Sequence, residues 1–348
     1  MKTYSSASAI KVGVVGYGGA FNMGRAHLQE MQQAGMTPTA VAELDPARLA
    51  VALTDFPGIE TYTSVDEMLE RSAVDLITVI TPHNTHAPLG LQILSAGRHC
   101  VLEKPMAVTT ADCDRLISAA TERDVLLSTY HNRHWDGWIL KALEVVQAGT
   151  IGDVVRVDLR MGSHATPKKW WRSSRSISGG VLYDWGVHLL EYALQLIKAD
   201  ITEVSGYAFE GHWASQPDAA FPPTDANEDE AQLVVRFATG QRVNLTVTQL
   251  DANPKRGFME VVGTKGAFVW ADWASCEIVE ALPDQARRVT TIPLPKSEGW
   301  RFYQNIADHL TTGTELVISG TWARRPIHIL DLAAQSAREG RALPAVYR

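Results

Sequence analysis

A chain of 348 residues, 45% hydrophobic and 20% charged, has the composition of an ordinary globular protein with room for about two domains. A formal charge of −7, from 32 basic and 39 acidic side chains, excludes the electrostatic footprint of a protein whose main partner is nucleic acid or an anionic membrane. Three cysteines, Cys100, Cys113 and Cys276, form no CxxC pair and are odd in number, and no apolar run reaches membrane-spanning length or precedes the first strand as a leader core. A reducing, cytoplasmic setting without disulfides is the expectation.

In chain order, the first half alternates short β-branched runs with amphipathic stretches. Strands are predicted at 11–15, 39–43, 74–81, 99–102 and 125–129, and helices at 24–35, 46–55, 65–71, 86–96 and 111–123. The runs VGVVG and VDLITVIT are apolar on both faces, as strands sandwiched between helices require. Ser64 and Glu67 form a capping box, and Gly35 and Gly97 stand where helices stop. This alternation builds a doubly wound parallel sheet of the Rossmann type.

Beyond about residue 150 the strands become longer and consecutive, at 154–161, 201–210, 231–238, 241–250, 257–263, 267–271 and 276–281. Leu233, Val235 and Phe237 alternate with polar neighbours, as do Val243, Leu245 and Val247, and Thr239-Gly240 makes the hairpin turn between them. A large, mostly antiparallel open sheet with one face on helices follows, the helices lying near 182–197, 299–312 and 327–339. Residues 211–227, rich in Pro, Ala and Asp, read as a long surface loop. The expected division is an α/β dinucleotide-binding domain over 1–130 and an α+β substrate and oligomerisation domain over 131–348, its last helices able to return toward the first domain.

The first strand runs into GYGGAFNMG, residues 16–24. A glycine turn between a first strand and a helix is the setting in which the backbone approaches a pyrophosphate and the helix amides face it. Gly16 and Gly18 take the first two glycine positions, with Gly19, Ala20 and Phe21 completing the turn. The third glycine is due at Phe21 and comes three residues late, at Gly24. Glu43 ends the second strand in VAELDP, where an acid binds the adenosine ribose hydroxyls and repels a 2′-phosphate. NAD is therefore the expected cofactor.

Asp184 and His188 in GGVLYDWGVH are spaced i, i+4, on one helix face. A histidine beside a carboxylate can take a proton at neutral pH, although a structural Asp–His pair has the same spacing. Lys104, in EKP, follows a strand at the carboxyl edge of the first sheet, where it could stabilise a developing alkoxide or simply pair with Glu103. Pro105 favours an extended Lys104. His83 and His86, then His131 and His134, crowd later loops. Their HxxH spacing invites a metal, but neither pair has a carboxylate or cysteine at ligand spacing, and none is expected. Trp170, Trp171 and Arg172 precede the glycines, suited either to stacking on a sugar or nicotinamide ring or to packing between domains.

The segments GYGGAFNMGRAH, VAELDP, TPHNTHAPLGLQILSAGRHCVLEKP and GGVLYDWGVHLLE together resemble the Gfo/Idh/MocA oxidoreductases, named for glucose–fructose oxidoreductase and inositol dehydrogenase. The resemblance spans nearly the whole chain. It implies that Lys104, Asp184 and His188 line a reaction site. It implies cofactor contacts from Gly16, Gly18, Glu43, Thr81, Pro82, His83, His86, Glu103, Trp171 and Arg172, with His131, Arg133, His164 and Trp170 toward substrate.

The expected activity is an NAD-dependent dehydrogenase acting on a secondary alcohol of a sugar, polyol or sugar derivative, in a homodimer or homotetramer packed through the open sheet. His188 is the first choice of base and Lys104 the group that polarises the oxygen, and the two roles could be exchanged. Asp184 orients substrate or His188. A redox-neutral glycoside-cleaving enzyme with recycled NAD is the nearest rival, and a dinucleotide-sensing binding protein is a third reading.

Overall fold

A computed structural model describes residues 1–345. The chain divides into two compact units, one of residues 1–132 with 300–327, the other of 133–299 with the residues from 328 onward. The boundary thus follows residue 132 rather than 130, and residues 300–327, assigned by sequence to the second domain, belong to the first unit.

The first unit alternates strand and helix: β1 (Lys11–Val15), α1 (Met23–Gln33), β2 (Thr37–Ala42), α2 (Pro46–Asp55), β3 (Glu60–Tyr62), α3 (Val65–Arg71), β4 (Leu76–Val79), α4 (His86–Ser95), β5 (His99–Leu102), α5 (Thr110–Glu122) and β6 (Leu127–Thr129). The six strands are parallel in the order β3-β2-β1-β4-β5-β6. Strands β4 and β5 are buried along their whole length, as strands at the centre of a parallel sheet are. Ser64 caps α3, its Oγ accepting from the Glu67 amide at 3.1 Å. The three-residue β3 was not expected from the sequence, and β4 is shorter than predicted, leaving Thr81 in the loop that follows.

The second unit begins with α6 (Gly137–Gln147), β7 (Val154–Gly162), α7 (Arg175–Ser178) and α8 (Leu182–Leu196). Strands β8 (Ile201–Phe209), β9 (Glu230–Phe237), β10 (Arg242–Thr248), β11 (Met259–Gly263), β12 (Gly266–Trp270), β13 (Ser275–Ala281) and β14 (Arg287–Pro293) follow. Helices α9 (Arg301–Thr312) and α10 (Gly320–Glu339) and strand β15 (Leu343–Pro344) end the described chain, α9 lying in the first unit and α10 running from the first into the second. The nine strands pair in the order β14-β13-β12-β11-β7-β10-β9-β8-β15, antiparallel except for β7 beside β10.

One face of this sheet buries Val157, Val235, Val243 and Val261, with α8 packed on β7 and β10. Trp138 of α6 stacks on Trp270 of β12, ring centroids 4.1 Å apart and 4° from parallel. The other face carries a half-exposed row in register across five strands: Val234, Asn244, Asp158, Glu260 and Val269. The 211–227 loop is tied down: Asp229 accepts from the His212 and Trp213 amides at 2.7 and 3.1 Å, and Asp225 from the Ser174 hydroxyl at 2.6 Å.

Candidate functional site

Because the first sheet is parallel, the residues after β1, β2, β4 and β5 share its carboxyl edge, and the strand order reverses between β1 and β4, where doubly wound sheets open a ligand crevice. Gly16 leaves β1 with φ +98°, and a Cβ there would stand 2.2 Å from the Ile80 carbonyl oxygen, so only glycine fits. At Gly18 a Cβ would meet nothing within 4 Å, so the backbone is open to an incoming group. Ala20 and Phe21 are exposed, and Asn22 adopts a left-handed conformation before α1 begins at Met23. A Cβ on Gly24 would lie 2.7 Å from the Gly16 oxygen. Gly24 therefore supplies the close helix–strand approach of a third glycine, three residues late.

Glu43 stands one residue past β2 and reaches back to this turn. Its carboxylate accepts from the Tyr17 amide at 2.6 Å and from the Asp45 amide at 3.0 Å. After β4, the Thr81 and Thr85 hydroxyls share a hydrogen bond of 2.6 Å, and the Pro82 carbonyl accepts from Thr85 Oγ1 at 2.6 Å. His83 is buried, its ring 5.8 Å from that of His86. His86 is fully buried between two backbone carbonyls, Nδ1 at 2.7 Å from Pro105 O and Nε2 at 2.9 Å from Thr81 O. Burial drives its pKa below the ordinary histidine value. Its imidazole thus joins the Thr81 turn to the segment after Lys104, which is a positioning contact rather than an open ligand.

Lys104 is half-buried, and its peptide bond to Pro105 is cis. Its backbone amide donates to Glu103 Oε2 at 2.8 Å, and Glu103 Oε1 lies 3.1 Å from His27 Nε2. His27 Nδ1 is 2.6 Å from the Tyr303 hydroxyl, which is 3.1 Å from Thr78 Oγ1. Burial raises the cost of the Glu103 charge, but His27, Lys104 and the amide bond outweigh it and hold the carboxyl below its usual range. His27 and Tyr303 had no part in the sequence reading. Nothing within a few residues of Glu103 marks either of them as its partner.

In the second unit Gly179 and Gly180 have φ +90° and +127°, which glycine alone adopts without strain. They lead into α8, where Asp184 lies in the first turn and His188 one turn later. Glu228 accepts from the Val181 amide at 2.9 Å and so caps a helix whose own Val181 cannot. Asp184 receives a hydrogen bond and ion pair from Arg172, whose guanidinium centre lies 5.3 Å from the Trp170 ring and 5.1 Å from the Trp171 ring. His188 is buried, with the Trp185 ring edge-on at 5.8 Å, and Arg133 stacks over Trp185 at 4.9 Å.

Arg133 also pairs with Asp136 at 3.1 Å, and Asp136 accepts from the Tyr192 hydroxyl at 2.7 Å. His134 is taken up by Glu191. His131 is buried in the first unit just after β6, whereas exposed His164 in the second sets its ring against Trp213 at 5.3 Å. Among the described residues, no group of three His, Cys, Asp or Glu side chains is placed to hold a metal ion, and no helix is long and apolar enough to cross a membrane.

The model of the oxidoreductase family's NAD-binding Rossmann fold matches residues 10–131, and the GFO/IDH/MocA C-terminal domain model matches residues 139–269. The chain is 23% identical over 357 aligned residues to the scyllo-inositol 2-dehydrogenase (NADP(+)) IolW of Bacillus subtilis, covering 99% of this chain and 98% of that protein. It is 28% identical over 269 residues to the myo-inositol 2-dehydrogenase of Thermotoga maritima, covering 76% and 75% of the two chains. Among solved structures, an NAD-binding protein from Listeria innocua superposes with a TM-score of 0.81 at 25% identity over 97% of each chain.

Proposed function

Because this chain belongs to the Gfo/Idh/MocA family of oxidoreductases, we propose that it is an NAD-dependent dehydrogenase that oxidises a secondary alcohol of a polyol or sugar, with an inositol-like ring as the leading substrate class. The observation that carries the reading is the built turn of the first unit: open backbone at Gly18, Gly24 packed on Gly16, and Glu43 drawn against Tyr17. These residues fit a dinucleotide. Gly16, Gly18 and Gly19 receive its phosphates, and Thr81, Pro82 and His83 border it after β4. Glu43 keeps acceptor lone pairs for ribose hydroxyls and opposes a 2′-phosphate, which supports NAD in this chain although the Bacillus relative is named for NADP(+).

The bound nicotinamide supplies the acceptor for hydride from the carbinol carbon. The chain supplies the proton chemistry. His188 takes the hydroxyl proton, and the Trp185 and Arg133 stack fixes its surroundings. Lys104 donates to the same oxygen and stabilises the negative charge that develops there, on a backbone held by Glu103. Arg172 orients Asp184, which accepts from a neighbouring substrate hydroxyl. Trp170 and Trp171 offer ring faces to the sugar or nicotinamide, and His131 and His164 serve substrate. The protein works in a reducing cytoplasm and self-associates through the open face of the nine-stranded sheet.

The test is a panel of inositols, polyols and sugars with added NAD, run beside a glycoside panel scored for aglycone release. Net NADH formation on an inositol or sugar alcohol supports the dehydrogenase. Aglycone release without net NADH, or NAD binding with neither activity, overturns it.

A further inference from the structure

Arg48 occupies the first turn of α2, five residues beyond Glu43, and its guanidinium lies flat on the glycine turn. A Cβ on Gly19 would stand 2.3 Å from Arg48 Nη2 and 2.4 Å from both Cζ and Nη1. The planar group occupies the space a side chain would need, so glycine at 19 is what admits it. Arg48 is half-buried, yet among the described residues its guanidinium makes no hydrogen bond or ion pair. Several other half-buried arginines have carboxylates: Arg25 with Asp55, Arg133 with Asp136, Arg156 with Asp158, Arg172 with Asp184. A chain of net charge −7 has no shortage of acids, and none among the described residues pairs with the Arg48 guanidinium.

We propose that Arg48 is a phosphate-binding residue of the dinucleotide site, donating its guanidinium N–H groups to phosphoryl oxygens over Gly18 and Gly19. The inference rests on the dinucleotide reading of the first unit. A guanidinium offers five donors in a rigid fork that matches phosphate, and held against the turn it loses little freedom on binding. It also answers the lengthened loop. Helix α1 starts only at Met23, behind an uncapped left-handed Asn22, so the loop reaches its helix amides later than a short turn would. Arg48 brings positive charge to that turn from the neighbouring helix. Glu43, held by Tyr17 and Asp45, lies on the ribose side, which leaves the pyrophosphate as the partner common to both cofactors and the 2′-phosphate as the one peculiar to NADP.

The test is calorimetric binding of NAD, NADP, ADP-ribose and adenosine to the intact protein, with no turnover required. Arg48→Gln should weaken NAD and ADP-ribose by about tenfold or more, leave adenosine unchanged and keep the melting temperature. Arg48→Lys should recover part of the loss, and Gly19→Ala, which evicts the guanidinium, should reproduce it. A loss confined to NADP would assign Arg48 to the 2′-phosphate and overturn the contact proposed over Gly18 and Gly19. Unchanged binding of all three phosphorylated ligands overturns it, as does an equal loss for adenosine, which would make Arg48 an adenine or folding contact. A parent protein that binds no dinucleotide would instead remove the reading of the first unit itself.

Discussion

Replacing Glu103 by glutamine removes one charge from the buried chain Glu103–His27–Tyr303–Thr78 while keeping its shape. The carboxylate accepts twice, from His27 Nε2 at 3.1 Å and from the Lys104 amide at 2.8 Å. A glutamine can accept on only one oxygen. The network can still close if that oxygen keeps the Lys104 amide, the glutamine NH2 donates to His27 Nε2, His27 Nδ1–H donates to Tyr303 and Tyr303 donates to Thr78. The variant then trades two charge-assisted bonds, worth roughly 1.5–3 kcal/mol each, for neutral ones worth roughly 0.5–1.5. The expected loss is about 2 kcal/mol, which in a unit of this size lowers Tm by about 4–8 °C. Glu103→Ala offers no such rearrangement, and two stranded donors at roughly 1–3 kcal/mol each give the larger loss.

The pH dependence fixes the sign. The folded Glu103 carboxyl titrates below its usual range, so the unfolded chain binds this proton more readily than the folded one. Its stabilisation is complete above the unfolded value of about 4.3 and declines as pH falls through the lower folded value. Scanning calorimetry of parent and Glu103→Gln at pH 7 and at successively lower pH should show the gap in Tm at its widest at neutral pH and closing on acidification. A Glu103→Gln protein as stable as its parent, or a gap that widens in acid, would refute the reasoning.

Three further outcomes are expected. His188→Asn and Lys104→Met should each lower turnover by at least ~10²-fold, with NAD affinity measured by fluorescence titration nearly unchanged; parent-like turnover of His188→Asn beside a dead Lys104→Met would make lysine the base. Dissociation constants should favour NAD over NADP, and Glu43→Ser with Leu44→Arg should narrow the difference; tighter NADP binding by the parent would contradict the role given to Glu43. Sedimentation should give a dimer or tetramer at micromolar concentration, and Val234→Lys with Val269→Lys, which charges the apolar positions of the exposed row, should shift it toward monomer; a parental monomer would contradict self-association through that face.

The parts of this molecule written plainly in its sequence are those in which neighbouring residues settle the conformation. VGVVG and VDLITVIT had to be buried strands, Gly16 had to turn sharply, and Thr239-Gly240 had to close a hairpin, with Gly240 at φ +89°. Elements escaped where that local signal is absent. Strand β3 has three residues, too few to show a period. Strand β14 is exposed at nearly every position, so its threonines and arginines mark no buried face. Helix α10 begins at Gly320 and carries Pro326 within it, whereas the apolar pattern suggested a start after the proline.

The candidate site divides in the same way. Lys104, Asp184 and His188 could be named as candidates because the proline after Lys104, the glycines before α8 and the i, i+4 spacing mark them within a few residues. Their supports were not, because a buried polar group states a need and leaves its answer to the fold. Glu103 required a donor and found His27, 76 residues earlier; His27 required another and found Tyr303, 276 residues later. The amide end of α8 required an acceptor and found Glu228, 47 residues beyond Val181. Arg48 presents the same demand, since its guanidinium has no protein acceptor among the described residues, and a phosphate of the dinucleotide is the acceptor we propose for it.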